Sequence, residues 1–244
     1  MPNLTTTFSP SVNIQRDKEK DLNYVVTPNA VNIYKEIVGK INSGIHSFSI
    51  IGSYGTGKST FLWALRKNLK REKFYFEPLN GEFKNINDFN FDFIVGDYNS
   101  LISGIGDHLG LGKNPAVDDI LEHIQEKQEA FKKANKYWVL VIDEFGKYLE
   151  YAAHHNPEKE LYLIQQIAEY ANDNDKNLLF VNTLHQAFDS YAHGLDLQQR
   201  KEWDKVRGRL KELTFNEPVE QLLHIATEYL QDYEKKVNKS DIDE

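Results

Sequence analysis

Apolar residues follow two patterns along this 244-residue chain, short continuous runs and longer stretches with helical spacing. Short apolar runs bounded by polar residues are typical of strands buried on both faces of a parallel sheet. Such runs predict strands at 45–51, 74–76, 91–95, 137–142, 178–181 and 213–215. Strands that alternate with helices form βαβ units. The pattern therefore predicts the α/β fold class, with a doubly wound, mostly parallel sheet that carries helices on both faces.

Helical spacing of apolar residues fills the segments between these strands. Thr27 and Pro28 supply an N-cap and a proline at the first helical position, so we expect the first helix at 28–41. Further helices are predicted at 60–70, at 101–109, from 115 onward, and at 161–171, 203–210 and 219–237. Gly104 and Gly106 lower the helix propensity of the segment at 101–109.

The same pattern divides the chain into three parts. Residues 1–27 are an N-terminal arm, since their first 22 residues are polar and show no clear period. Residues 28–216 hold every predicted strand and form the α/β domain. Residues 217–244 carry a final helix that ends in a charged stretch.

Composition places the chain among soluble globular proteins, with 40% hydrophobic and 27% charged residues. No apolar run approaches the ~20 residues of a membrane span, and the first residues lack the regions of a signal peptide. The absence of cysteine excludes disulfides and thiolate metal sites. We therefore expect a cytoplasmic protein with no membrane partner. The net charge of −8 argues against a DNA-coating surface, although basic runs at 66–73 and 200–211 are either solvated helix faces or local phosphate contacts.

A glycine-rich segment between the first strand and the next helix carries the clearest chemistry. It reads Gly-Ser-Tyr-Gly-Thr-Gly-Lys-Ser from position 52 and fits the pattern G-x-x-x-x-G-K-[ST] of a phosphate-binding loop. Its glycines let backbone N–H groups converge on phosphate oxygens, and the helix N-terminus adds partial positive charge. Lys58 is expected to reach the outer phosphates, and the Ser59 hydroxyl to ligate Mg²⁺. The predicted nucleotide contacts are Gly52, Ser53, Tyr54, Gly55, Thr56, Gly57, Lys58, Ser59 and Thr60.

An acidic pair, Asp143-Glu144, follows the buried strand at 137–142. Ligands of open α/β sheets bind at the carboxyl ends of the strands, and a nucleotide site needs a carboxylate for Mg²⁺ there. We assign Asp143 to the metal and Glu144 to the deprotonation of an attacking water. The alternative interpretation is an acidic pair that caps the next segment. Both motifs together predict ATP and Mg²⁺ as ligands, since no guanine-reading motif is present.

These two motifs, with an extra strand between them and the glutamate next to the aspartate, resemble the additional-strand, catalytic-glutamate division of P-loop NTPases. Within it, the chain is similar to AAA+ and STAND ATPases, particularly the initiator-like clade. The resemblance implies a five-stranded parallel sheet of order 5-1-4-3-2 and ATP hydrolysis at a low basal rate. The segment from Asp143 to Glu150 is also similar to ATPase modules of larger prokaryotic anti-phage defence and mobile-element proteins.

The resemblance also implies roles for polar residues at the ends of two other strands. A sensor that touches the terminal phosphate or its water corresponds to Asn182 or Thr183, with His185 as a third candidate. A strand cap and a structural histidine are the alternative interpretation. Asn99 corresponds to the position where some members keep a polar residue that restrains the catalytic glutamate.

An arginine finger that acts on a neighbouring subunit is the last implied element. Arg209 matches its position best and Arg207 is the alternate, whereas a solvated basic helix is the other interpretation. A finger implies a homo-oligomer or a larger complex. The family normally ends in a lid of several helices, so residues 217–244 correspond at most to the start of a truncated lid.

Three functions follow as hypotheses. The first is an ATPase that remodels or assembles a DNA or protein partner. The second is a nucleotide-gated switch that hydrolyses ATP slowly. The third is a small-molecule kinase, which the adjacent glutamate disfavours because that residue suits water as the nucleophile.

Overall fold

The computed structural model describes residues 12–17, 19–20, 22, 24–41, 43–77, 83, 86–155, 157–173, 176–218 and five positions between 223 and 231. Their elements, in chain order, are α1 (Ile14–Asp17), α2 (Pro28–Ile41), β1 (Ser47–Ile51), α3 (Lys58–Leu69), β2 (Asp88–Val95), α4 (Leu101–Leu109), α5 (Val117–Lys133), β3 (Lys136–Asp143), α6 (Gly146–His155), α7 (Pro157–Ala171), β4 (Leu178–Leu184), a 3₁₀ helix (Phe188–Ala192), α8 (Leu197–Arg207) and β5 (Lys211–Thr214).

All strand pairs in the described sheet are parallel, and the strand order is β2-β3-β4-β1-β5. This is the predicted order 5-1-4-3-2 counted from the opposite edge, so the expected fold class is confirmed. Strands β1, β3 and β4 lie inside the sheet; β3 is apolar from Tyr137 to Ile142 and β4 from Leu178 to Val181, whereas β1 alternates the buried Ser47 and Ser49 with apolar residues. Because all strands point the same way, the phosphate loop after β1 and the acidic pair at the end of β3 meet at one edge.

The two faces of the sheet carry separate hydrophobic cores. One core holds Val139 and Val141 of β3 and packs against α2 and α3. The other holds Leu140 and Ile142 of the same strand and packs against α4 to α8. Strand alternation therefore assigns every β3 and β4 side chain to one face or the other. Among the described helices, none combines the length and the apolar character that crossing a bilayer requires.

The described part of the N-terminal arm packs against the domain. Ile14 of α1 is fully buried, and Gln15 Nε2 donates to the Phe93 carbonyl oxygen of β2 at 2.9 Å. The buried Asp17 carboxylate pairs with Arg16 and Lys20. The first eleven residues of the arm, and nearly all of the helix predicted after residue 217, lie outside the described residues.

The strand predicted at 74–76 is wrong. Its backbone pairs with a side chain instead: the Tyr75 and Phe76 N–H groups both donate to Asn68 Oδ1 at 2.9 Å. The Asn68 amide nitrogen donates in turn to the Tyr34 hydroxyl, and the Phe76 ring stacks on Tyr34 with 4.6 Å between centroids. The segment therefore closes the core beside α2 and α3 without joining the sheet.

Helix α4 forms although it contains two glycines. Glycine is required at both positions because neighbouring atoms occupy the space that a side chain would need. A Cβ at Gly104 would lie 2.2 Å from the Tyr148 hydroxyl, and one at Gly106 would lie 2.6 Å from Pro115 Cγ. Helix α6 and the 3₁₀ helix were not predicted. Both contribute buried aromatic side chains to the second core, Tyr148 from α6 and Phe188 and Tyr191 from the 3₁₀ helix.

Replacing Asn68 with alanine tests the role of this side chain in the turn at 74–77. The change leaves two backbone N–H groups without their acceptor, so we expect a loss of about 3 kcal/mol in the free energy of unfolding. Urea denaturation of Asn68→Ala against Asn87→Ala measures it. Asn87 is exposed, and its replacement should cost no more than about 0.5 kcal/mol. Equal effects of the two changes would contradict the assignment.

Candidate functional site

The loop at 52–57 connects β1 to α3. Its three positions occupied by glycine exclude a side chain for different reasons. Gly55 and Gly57 adopt positive φ angles of 77° and 96°, which side chains resist. Gly52 is constrained by space, since a Cβ there would lie 2.2 Å from the Phe215 carbonyl oxygen. The Phe215 N–H donates to the Ile51 carbonyl oxygen at 2.6 Å, so the chain after β5 closes against the loop.

Lys58, the first residue of α3, folds back over the loop. Its Nζ donates to the carbonyl oxygens of Gly52 at 2.5 Å and Ser53 at 2.8 Å. Burial lowers the pKa of Lys58, and the nearby Asp143 and Glu144 carboxylates oppose that change. The ammonium group therefore lies over the loop and within the field of both acidic residues.

Thr183 joins the ends of β3 and β4. Its hydroxyl donates to Asp143 Oδ1 at 2.6 Å and accepts from the Glu144 N–H at 2.9 Å. The Glu144 N–H also lies 3.1 Å from Asp143 Oδ1. Glu144 has a positive φ of 55°, a conformation that is uncommon outside glycine and persists where surrounding contacts over-determine it. The two acceptors around its N–H supply those contacts.

The Glu144 carboxylate pairs with Lys147, a residue that sequence reasoning missed. Glu144 Oε2 contacts Lys147 Nζ in the first turn of α6. The hydrogen bond that Lys147 donates to the Glu144 carboxylate raises the pKa of Lys147, and the nearby Asp97 carboxylate acts in the same direction. The spacing of three residues between an acid and a base was the available signal, once a helix start at 146 is recognised.

His185, directly after β4, contacts the phosphate loop. Its ring stacks on Tyr54 with 4.7 Å between centroids and an interplanar angle of 20°. On its other side, His185 Nδ1 lies 2.9 Å from the Tyr191 hydroxyl, and Nε2 lies 3.6 Å from Glu150 Oε1. The loop residue Tyr54 is thereby held against the rest of the site although its side chain is largely exposed.

These groups surround one pocket of about 350 Å³. Its walls come from the phosphate loop and the start of α3, from the Asp143-Glu144 pair, from Lys147 and from the end of β4. Val12 of the N-terminal arm also reaches it. Of the three sensor candidates, Thr183 and His185 line the pocket.

Asn182 lies away from the pocket because strand alternation turns it to the other face of the sheet. It is fully buried, and neither polar atom of its amide has a hydrogen-bond partner among the described residues. Asn99 is exposed, and its Oδ1 accepts from the Ser100 N–H at 2.8 Å. The period of two puts Asn182 and Thr183 on opposite faces of β4, but it does not tell which of the two faces meets the pocket.

Both arginine-finger candidates also lie outside the pocket and are paired within their own chain. Arg207 Nη1 lies 2.5 Å from Asp189 Oδ2, and Arg209 Nε lies 2.6 Å from Glu169 Oε1. Both side chains are about 40% exposed, at 45% and 39%.

The donor set fits Mg²⁺. The described residues contain no group of three or more His, Asp or Glu side chains that could cage a metal ion. Mg²⁺ is usually held by one or two carboxylates together with substrate phosphates and water. Asp143 and Ser59, which both line the pocket, offer such a set.

Two solved structures of the Aeropyrum pernix ORC2 protein share this fold. The structure of its ADPNP-ADP complexes matches with a TM-score of 0.52 and 16% identity over 80% of this chain and 50% of that chain. The ADP form matches with a TM-score of 0.50 and 16% identity over 82% and 52% of the two chains. A structure of C. elegans PCH-2 has a TM-score of 0.47 and 16% identity over 81% and 45%.

The chain spans about half the length of the ORC2 structures that it matches. No protein-family model matches the sequence, and no curated protein matches it either. The described residues nevertheless share the fold of the ORC2 structures, and this is the fold expected from the sequence resemblance to P-loop NTPases of the AAA+ type.

Replacing Thr183 with valine tests whether its hydroxyl holds the site together. Valine keeps the shape but leaves the Asp143 carboxylate and the Glu144 N–H each without one partner, so we expect a loss of about 2 kcal/mol in the free energy of unfolding. Thr183→Ser keeps the hydroxyl and should lose no more than about 1 kcal/mol, the value of one methyl group. Urea denaturation of both variants decides the point. A serine variant as unstable as the valine variant would show that packing, and not the hydroxyl, matters.

Proposed function

We propose that this chain binds ATP with Mg²⁺ and hydrolyses it, with Glu144 as the general base. The observation that carries the proposal is the meeting of a phosphate loop, its lysine and two acidic residues in one pocket, where hydrogen bonds hold the backbone of Glu144. The AAA+-type fold supports it, because nucleotide sites of open α/β sheets lie at this edge.

The phosphates occupy the loop in this proposal. Backbone N–H groups of 55–59 and the N-terminus of α3 supply partial positive charge, and Lys58 supplies a full charge. Lys58 lines the pocket, and its Nζ donates to the Gly52 and Ser53 carbonyl oxygens, so phosphate oxygens replace those acceptors. Mg²⁺ on Ser59 and Asp143 would neutralise charge that develops on the phosphate oxygens.

Glu144 then takes the proton of the attacking water. The water oxygen bonds to the terminal phosphorus, the bond to the bridging oxygen breaks, and ADP leaves with inorganic phosphate. The Glu144 N–H donates hydrogen bonds to Asp143 Oδ1 and Thr183 Oγ1. These bonds hold the backbone from which the Glu144 carboxylate extends. Thr183 or His185, both at the pocket, serves as the sensor of the terminal phosphate.

A slow nucleotide-gated switch is the second candidate, and one contact favours it. The Glu144 carboxylate that would accept the proton is engaged by Lys147. A base held by an ammonium group is available for only part of the time, which lowers turnover while leaving ATP binding intact. Remodelling of a DNA or protein partner, whether in anti-phage defence or another process, stays a proposal that rests on the sequence resemblance.

Replacing Glu144 with glutamine separates binding from hydrolysis. The amide keeps the size of the side chain but accepts no proton, so phosphate release should fall at least about 100-fold while ATP affinity does not decrease. A phosphate-release assay and a fluorescent-nucleotide titration measure the two quantities. Lys58→Ala serves as the opposite control, since it should abolish binding. Unchanged turnover of Glu144→Gln would exclude Glu144 as the base.

We also propose that Arg209 acts on the site of a neighbouring chain. Within one chain it lies outside the pocket, and its exposed pair with Glu169 is easily exchanged. An arginine from a second subunit would stabilise charge on the transferred phosphoryl group.

Turnover measured against protein concentration tests this proposal. The rate per chain should rise with concentration, and Arg209→Ala should lower the plateau by at least about tenfold. Arg200→Ala is the matched control, because Arg200 lies in α8 and donates to the Leu195 carbonyl oxygen away from the pocket. A rate per chain that is independent of dilution, together with an unaffected Arg209→Ala variant, would refute catalysis by a neighbouring subunit.

A further inference from the structure

Lys147 is a second lysine in the phosphate pocket. Of the described side chains that line the pocket, only Lys58 and Lys147 carry a permanent positive charge. Lys58 belongs to the recognised loop motif, whereas Lys147 comes from α6 on the far side of the acidic pair. The two cations therefore approach the pocket from different elements.

The ammonium group of Lys147 lies beside the proposed base. Its Nζ contacts Glu144 Oε2, and Lys147 lines the same pocket as Tyr54 and Lys58 of the phosphate-loop region. The Lys147 and Glu144 side chains are 39% and 41% exposed. Ion pairs this exposed contribute little to stability, so a stronger anion separates them readily.

The backbone at Lys147 is held in place by close packing. A change of partner therefore involves its side chain and not its backbone. Gly146 and Tyr148 on either side of it are buried. A Cβ at Gly146 would lie 2.2 Å from the Tyr191 hydroxyl, which shows how closely α6 and the 3₁₀ helix approach. The four-carbon stem of lysine spans alternative partners without a backbone change.

Given the proposed ATP site, we propose that Lys147 exchanges partners when a triphosphate binds. It pairs with Glu144 in the nucleotide-free chain and moves to the terminal phosphate of ATP. The terminal phosphate carries more negative charge than one carboxylate and offers several acceptor oxygens, so it competes effectively for the ammonium group. The exchange frees the Glu144 carboxylate at the moment when the substrate is present.

The exchange makes Lys147 a specificity-determining residue for ATP over ADP. ADP lacks the terminal phosphate, so it leaves the pair of Glu144 and Lys147 intact. A contact made in only one of two ligand states shifts the affinity for that ligand alone. Lys147 therefore links recognition of the third phosphate to release of the general base.

Nucleotide affinities of lysine variants test the exchange directly. A fluorescent ADP analogue is displaced from the full chain by Mg·ADP or by a non-hydrolysable Mg·ATP analogue with an intact terminal phosphate. We expect Lys147→Gln to lower the affinity for the ATP analogue by about tenfold, which is the value of one charge-assisted hydrogen bond. The affinity for ADP should fall by less than about twofold. Lys147→Arg keeps the charge and should recover most of the loss.

Removing the competing carboxylate supplies an independent readout. Glu144→Gln should raise the affinity for the ATP analogue by about threefold, because Lys147 then has no ionic partner to give up before it reaches the phosphate. The gain should vanish in the double variant with Lys147→Gln, as a double-mutant cycle requires for two coupled residues. An equal gain in both backgrounds would show that the two residues act independently and would overturn the exchange.

Lys205→Gln is the matched control. Lys205 forms an exposed pair with Glu202 at the same spacing of three residues, at 2.6 Å, and lies on α8 away from the pocket. Its replacement should leave both affinities unchanged. Suppose that Lys58→Ala abolishes binding while Lys147→Gln lowers the affinities for ATP and ADP equally or changes neither. The exchange is then wrong, but the proposed ATP site is supported. If the wild-type chain binds neither nucleotide, the proposed function itself fails.

Discussion

The parallel pairing of β3, β4 and β1 is the constraint on which the candidate site depends. In a parallel sheet the ladder delivers successive strand ends to one edge, although they lie far apart in sequence. The ladder continues beyond the strands: the Gly52 N–H donates to the Leu184 carbonyl oxygen at 3.0 Å, and the Phe145 N–H donates to the Thr183 carbonyl oxygen at 3.0 Å. The phosphate loop, the acidic pair and the end of β4 are thereby fixed to one another before any side chain is considered.

Side chains then refine what the ladder provides. Thr183 joins β3 to β4 through Asp143, and the same hydroxyl accepts from the amide of Glu144. The backbone of Glu144 is therefore firmly placed while its carboxylate stays partly exposed and paired with Lys147. A rigid backbone with an exchangeable side-chain contact is what a base needs if it is to be held back in one state and released in another.

Most of the fold was predictable from the sequence because the central strands are almost entirely apolar. The run at 137–142 admits no amphipathic helix, and the glycine loop after 51 fixes where β1 ends. The segment at 74–76 misled the same reasoning, since its aromatic residues are buried as strands are, but its N–H groups bond to Asn68. A side chain that replaces a neighbouring strand leaves no signal in the local hydrophobic pattern.

The meeting of Lys58 and Asp143 at one pocket was predictable, because a motif fixes both residue and position at each of them. The sensor candidate was less predictable, because the choice between two adjacent residues depends on which face of the sheet each side chain occupies. Asn182 and Thr183 are both polar and adjacent, and only the sheet distinguishes the buried amide from the hydroxyl at the pocket. Lys147 was missed because its role depends on α6 beginning at Gly146, and the apolar spacing predicted no helix at that position.

The central claim is that water, activated in this pocket, attacks the terminal phosphate of ATP. Incubation of the chain with Mg·ATP in water enriched in oxygen-18, followed by mass spectrometry of the released phosphate, tests it most directly. We expect inorganic phosphate that carries one oxygen-18 atom for each ADP formed at the first turnover. Transfer of the phosphoryl group to another acceptor, or ATP that persists unchanged at saturating Mg²⁺, would contradict it.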